Sequence, residues 1–271
     1  TDMLGTKKKI HFIGIGGIGM SGIAELLFNL GFIISGSDIK KSDRTKRLIK
    51  LGIDISLNHS EDNINNPDVV VYSSAINYDN IEILVSKKKG IPVIRRAEML
   101  GELLKLKKIS IAISGTHGKT TTCSMLSSIL FEAKLNPTLV IGGIVNNFGS
   151  NAISGEGDII VVEADEFDKS FLSLNPTYIS INNIDLEHLD IYKNINDLQT
   201  TFTQFANSTP FYGRVCINVD SKNLDEIKNK INKGVRTFGI NNNANIMASN
   251  IKFKNNKSTF DVAIDNHRHF S

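Results

Sequence analysis

The chain has 271 residues, of which 41% are hydrophobic and 22% charged, a balance that leaves out disordered, collagen-like and coiled-coil classes. The formal charge is +3, and although 17 of the 31 basic side chains fall in residues 1–108, no basic stripe with interleaved aromatics points to nucleic acid. No apolar run reaches the ~20 residues needed to cross a bilayer, and Lys7–Lys9 begin no signal-peptide pattern, so the reading is a cytoplasmic chain without membrane insertion.

At roughly 100–200 residues per domain the length suggests two domains. The first predicted elements are a strand over Ile10–Ile15, a glycine turn, and a helix over Ile18–Leu30. The pattern then runs strand Phe32–Ser35, helix Thr45–Leu51, strand Asp68–Tyr72, helix Ile81–Lys88, strand Ile91–Ile94 and helix Ala97–Leu106. A second strand, turn and helix start at Ile109–Ile113, Ser114–Gly118 and Lys119–Ala133, and this restart sets a boundary that divides the chain into 1–107 and 108–271. Further strands are expected at Thr138–Ile141, Asp158–Val162, Tyr178–Ile181 and Val215–Val219, with a helix near Asp197–Ala206 and a peripheral hairpin at Ile251–Phe253 and Phe260–Ile264. Alternating strands and helices predict an α/β fold: a Rossmann-like parallel-sheet domain followed by a P-loop ATPase-type α/β domain. Cys123 and Cys216, 93 positions apart, match no metal or redox spacing and are read as core fillers.

Four motifs carry chemistry. Gly14, Gly16, Gly17 and Gly19 form a GxGxxG turn between strand and helix, with Asp38 at the end of the next strand, a pattern that lets backbone approach a nucleotide diphosphate at a helix N-terminus. Gly115, Thr116, His117, Gly118, Lys119, Thr120 and Thr121 form a shortened P-loop, because Ile113 stands where the first glycine of GxxxxGK[ST] belongs. Lys119, expected on an exposed loop, would reach terminal phosphates and Thr120 would ligate Mg²⁺. Glu163-Ala164-Asp165-Glu166-Phe167-Asp168 follows an apolar strand, which places carboxylates at the strand end where a magnesium–nucleotide needs an acidic partner; Glu163 is the first choice. Asp185-Leu186-Glu187-His188-Leu189-Asp190 also follows a strand, and by itself His188 reads as a hydrogen-bonded surface histidine.

Together, Gly14–Glu25, Ser114–Thr122, Glu163–Leu172 and Asn182–Tyr192 resemble the Mur ligases, in colinear order from residue 7 to about 265, and the shortened P-loop is that family's own form. Within the family the chain is most similar to members that join L-alanine to UDP-N-acetylmuramate. The resemblance implies ATP-dependent amide formation in peptidoglycan synthesis, in which the muramyl carboxylate is phosphorylated and the alanine amine attacks the acyl phosphate. It implies catalytic roles for Lys119, Glu163 and His188, Mg²⁺ ligation by Thr120, Glu163 and His188, and ATP on residues 115–121. The UDP substrate is expected on Gly14, Gly16, Gly17, Gly19, Asp38, Ser73 and Ser74. Phe167 departs from the serine expected there. The family's C-terminal domain and its preceding His-Asn motif are not met before Ser271, where Asn266-His267 has the reverse order; the expectation is a fragment that does not ligate alanine alone. The rival readings are a non-catalytic UDP-sugar or nucleotide-binding module, an NAD-dependent oxidoreductase and a folylpolyglutamate synthase.

Overall fold

A computed structural model of the chain describes residues 8–145, 150–186, 191–255, 257–265 and 267–270. The elements of the first half are β1 (Lys9–Ile13), α1 (Ile18–Asn29), β2 (Ile33–Ser37), α2 (Asp43–Lys50), β3 (Asp54–Ser56), β4 (Val69–Tyr72), α3 (Ile81–Lys88), β5 (Val93–Arg95), α4 (Arg96–Leu104), β6 (Ile109–Ser114) and α5 (Lys119–Glu132). They are followed by β7 (Thr138–Val145), β8 (Ser150–Ile153), β9 (Ile159–Glu163), β10 (Tyr178–Ile181), α6 (Ile195–Asn207), β11 (Arg214–Asn218), α7 (Lys222–Asp225), β12 (Val235–Gly239), β13 (Ile246–Lys254), β14 (Lys257–Ile264) and β15 (His267–Phe270), with short 3₁₀ turns at Glu61–Asn63, Phe167–Ser173 and Lys228–Lys230. Contacts group the chain into two compact units, Thr1–Lys108 with Cys123–Val162, and Ile109–Thr122 with Glu163–Ser271.

In the first unit a parallel sheet has the order β3-β2-β1-β4-β5. β1 is buried from Ile10 through Ile13, apolar at Ile10, Phe12 and Ile13 as a parallel sheet covered on both faces requires, with His11 as its one buried polar residue. Ile13, Ile64, Val70, Tyr72 and Ile83 form one core cluster. Helix starts follow local chemistry: the Ser42 hydroxyl accepts the Thr45 N–H at α2, and Asn80 Oδ1 accepts the Glu82 N–H at 2.9 Å at α3. Residues 123–162 join this unit because α1 packs on β7 and β8. The Lys107 ammonium also donates to the carbonyls of Gly155 and Gly157 at 2.8 and 2.7 Å. Strands β9, β7 and β8 are neighbours in that order, with β7 and β8 antiparallel.

In the second unit the order is β15-β14-β13-β12-β11-β10-β6, parallel from β6 to β13 and antiparallel through the β13–β14 hairpin and β15. Helix α6 buries Phe202 and Phe205 against Phe171 of the 3₁₀ turn, with ring centroids 5.2 and 4.5 Å apart. Cys123 is buried and Cys216 half-buried, neither in a disulfide, and the Cys123 thiol donates to the Val162 carbonyl at 3.9 Å. Asn266, one of the pair weighed as a reversed His-Asn motif, lies outside the described residues.

Candidate functional site

In the first unit the candidate groups collect where the parallel strands end. β1 and β4 are adjacent while their following connections diverge, the place where open α/β sheets bind ligands. Gly14 takes φ +78°, and a Cβ on Gly16 would stand 2.8 Å from Asp38 Oδ2 and 2.9 Å from Thr45 Cγ2, so glycine is required at both. The Ser37 carbonyl accepts the N–H groups of Gly14 (2.8 Å) and Ile15 (3.1 Å), and Gly17 N–H goes to the Gly14 carbonyl. Asp38 closes the turn: Oδ2 accepts the Gly16 N–H at 2.8 Å and Oδ1 the Lys40 N–H at 2.9 Å. Both carboxylate oxygens thus accept from the backbone, and each keeps a further lone pair. The turn leads directly into the start of α1. Ser73 abuts Gly14 and is half-buried, and Ser74 is exposed at the end of β4.

Two arginines that sequence reasoning missed frame this turn. Arg44 Nε donates to the Gly16 carbonyl at 2.6 Å, and the Arg96 guanidinium stands 3.0 Å from the position a Gly19 Cβ would take. Arg44 lies near the start of a helix with other cations and Arg96 beside Arg95, so neither carries a local signal that separates it from a solvated charge.

The second unit holds the shortened P-loop between β6 and α5. Gly115 takes φ +125°, and its missing Cβ would meet the Asn183 N and O at 3.0 Å. The segment after β10 clamps the loop. Asn183 Oδ1 accepts the His117 N–H at 2.8 Å, the Thr116 Oγ1 accepts the Asp185 N–H at 2.9 Å, and Asn182 Nδ2 donates to Thr122 Oγ1 at 3.0 Å. Gly118 has φ +77°, and Thr121 is exposed on the first turn of α5.

Lys119 is not on an exposed loop: its side chain is 13% exposed, and its ammonium donates to Glu166 Oε2 at 2.8 Å and to the Gly115 and Thr116 carbonyls at 2.8 and 3.4 Å. The physical reason is the fully buried Glu166 carboxylate, which requires a cation beside it. Asp165 Oδ1 lies 4.0 Å from the same ammonium. Next to this pair, Thr120 Oγ1 donates to Glu163 Oε1 and Oε2 at 3.1 and 3.0 Å. A hydroxyl and a carboxylate at that separation are hard oxygen donors suited to Mg²⁺, which keeps several waters and asks few protein ligands. His188 lies outside the described residues, and among the described residues no group of three or more His, Cys, Asp or Glu is arranged to hold a metal.

Residues 9–108 match the profile of the Mur ligase family, catalytic domain, and residues 113–270 match the Mur ligase middle domain. The chain belongs to the Mur ligase family. The UDP-N-acetylmuramate–L-alanine ligase of Sulfurihydrogenibium sp. is 50% identical over 95% of this chain and 57% of its own length, and that of Aquifex aeolicus 49% identical over 94% and 56%. The solved UDP-N-acetylmuramate-alanine ligase of Thermotoga maritima superposes with a TM-score of 0.80 at 31% identity, over 97% of this chain and 59% of that one. The UDP-N-acetylmuramate:L-alanyl-gamma-D-glutamyl-meso-diaminopimelate ligase from Neisseria meningitides gives 0.84 at 29% identity, over 97% and 86%. The chain spans somewhat over half the length of the curated relatives it matches. The α/β architecture expected from strand–helix alternation is the Mur ligase architecture of both units. No helix among the described residues is long and apolar enough to cross a membrane.

Proposed function

We propose that this Mur ligase chain carries the substrate-binding and ATP-binding parts of a cytoplasmic UDP-N-acetylmuramate–L-alanine ligase in peptidoglycan synthesis, divided into a UDP-binding domain at 1–107 and an ATP-binding domain at 108–271. The observation that carries the reading is the joint placement of Lys119 against Glu166 and Thr120 against Glu163 at a glycine loop opening a helix. A backbone nest, a cation and a hydroxyl–carboxylate pair are what a magnesium–nucleoside triphosphate needs.

In this reading ATP sits on residues 115–121, and Lys119 exchanges one of its carbonyl partners for a phosphate oxygen, which places positive charge where the transferred phosphoryl group accumulates negative charge. Thr120 and Glu163 would hold Mg²⁺, with His188 assigned to a second ion, and the metal when bound supplies charge neutralisation on the phosphates. The amine of L-alanine would attack the acyl phosphate of the muramyl carboxylate. The glycine turn, with Gly14, Gly16, Gly17, Gly19, Asp38, Ser73 and Ser74, binds the UDP substrate, and Asp38 also holds the turn in shape.

Calorimetric titration of the 271-residue chain tests the proposal: UDP-N-acetylmuramate should bind without ATP, and ATP should bind in a Mg²⁺-dependent way. NADH binding with no UDP-sugar signal would overturn the substrate assignment.

A further inference from the structure

A buried carboxylate lies beneath the glycine turn, on a helix that none of the four motifs includes. Glu82, in the first turn of α3, is fully buried. Its Oε2 accepts the Ser37 hydroxyl proton at 2.5 Å and stands 3.4 Å from His59 Nδ1 and 3.6 Å from His11 Nε2. Its Oε1 accepts from Asn63 Nδ2 at 2.5 Å and from the Ser60 N–H at 3.3 Å. The groups facing it come from β1 (His11), from the end of β2 (Ser37) and from the segment before and within the 3₁₀ turn at Glu61–Asn63 (His59, Ser60, Asn63). His11 is itself buried and pinned through Nδ1 to Ser35 Oγ at 2.9 Å.

Burying a carboxylate is costly, and an apolar side chain would pack α3 on the sheet without that cost. The network therefore calls for a purpose other than packing, and its geometry supplies one. Ser37 is bonded at both ends: its hydroxyl goes to Glu82, and its carbonyl receives the N–H groups of Gly14 and Ile15, the first two of the glycine turn. Asp38, the next residue, holds Gly16. A shift of Ser37 would move the turn and with it the start of α1.

We propose that Glu82 is a positioning residue for the phosphate-binding turn: through the Ser37 hydroxyl it fixes the carbonyl that shapes Gly14 and Ile15, and so sets where α1 presents its N-terminus to the diphosphate. The ligand side of this inference rests on the UDP reading above; the coupling of Glu82 to the turn does not. Hydrogen bonds from the end of β2 and from Ser60 and Asn63 converge on the carboxylate, with the His11 ring of β1 3.6 Å away, so it ties these segments in one arrangement behind the turn.

The test compares Glu82→Gln and Ser37→Ala with Ile83→Val, a control that trims the same helix in the same core without touching the network. Two readouts are taken on the 271-residue chain: the ¹H–¹⁵N shifts of the Gly14 and Ile15 amides, and affinities for UDP and for uridine by calorimetry. Glu82→Gln and Ser37→Ala are expected to move both amides and to weaken UDP about tenfold or more while leaving uridine unchanged, with Ile83→Val doing neither. Turn amides that stay at their original shifts in both network variants, or that move equally in Ile83→Val, would overturn the inference. If Glu82→Gln does not fold, Ser37→Ala, which leaves Glu82 with His59 and Asn63, carries the same comparison. Absence of UDP binding by the unsubstituted chain would defeat the UDP reading, and the amide shifts would then decide the positioning inference alone.

Discussion

The chain builds a strand, a glycine turn and a helix twice, at Ile13–Ile18 and at Ser114–Lys119, and holds the two turns in opposite ways. The first is fastened from below by acceptors: the Ser37 carbonyl, the Asp38 carboxylate and, one step behind, Glu82. A guanidinium stands at its rim, with Arg44 Nε donating to the Gly16 carbonyl. The second is clamped from the side by Asn182, Asn183 and Asp185, and it carries a cation, Lys119, set against the buried Glu166. The same backbone geometry thus yields one turn fastened by the Ser37 carbonyl and the Asp38 carboxylate and another that carries an ammonium and oxygens suited to a metal. The difference lies in the side chains that hold each loop, not in the glycines.

The largest expected effect breaks the charged turn. Lys119→Ala leaves Glu166 as an uncompensated buried charge, so it should cost about 3–5 kcal/mol of stability as well as ATP affinity. Urea unfolding should show the loss, and the double change Lys119→Ala with Glu166→Gln should recover part of it. Equal stability of Lys119→Ala and the parent would mean that the pair does not hold the loop.

Acid breaks the other turn's support. Burial alone pushes the Glu82 carboxyl up, but the His11 ring and the hydrogen bonds of Asn63 and Ser37 outweigh it and hold the group at about 2, against 4.5 in the unfolded chain. The folded state therefore resists a proton that the unfolded state accepts. Its stabilisation is complete above pH 4.5 and declines as pH falls toward 2, by about 3 kcal/mol in all. Stability measured across that interval should lose this part of its slope in Glu82→Gln.

Two smaller effects sharpen the contrast. Glu163→Gln should weaken Mg²⁺-dependent ATP binding by about 1.5–3 kcal/mol, the worth of a hydrogen bond to a charged group, while leaving UDP binding alone. Gly16→Ala, whose Cβ would lie 2.8 Å from Asp38, should cost about 1–3 kcal/mol by thermal unfolding. Gly17→Ala, whose Cβ meets nothing closer than 3.4 Å, should change stability by about 0.5 kcal/mol or less. Equal effects at the two glycines would show that the close approach to Asp38 does not constrain the turn.

The sequence alone determined the features whose physics is local. Hydrophobic periodicity placed α3 at Ile81–Lys88 and β10 at Tyr178–Ile181 to the residue, and the other principal helices and strands within a few positions, because each buries a face that its own spacing reveals. The two glycine turns were legible because a strand-to-helix reversal with positive φ restricts the residue type. Short or edge elements escaped: β3, β8 and β12 are too brief or too polar to show a period, and β8 exists as a strand through its antiparallel pairing with β7. Only the tertiary structure decided which charged groups are buried and what they hold. Glu82 reads in sequence as an ordinary first-turn acid of a helix, and Lys119 as a loop cation. Their burial and their partners, drawn from residues as far as 71 positions away in the chain, follow from strand order, which no local pattern encodes.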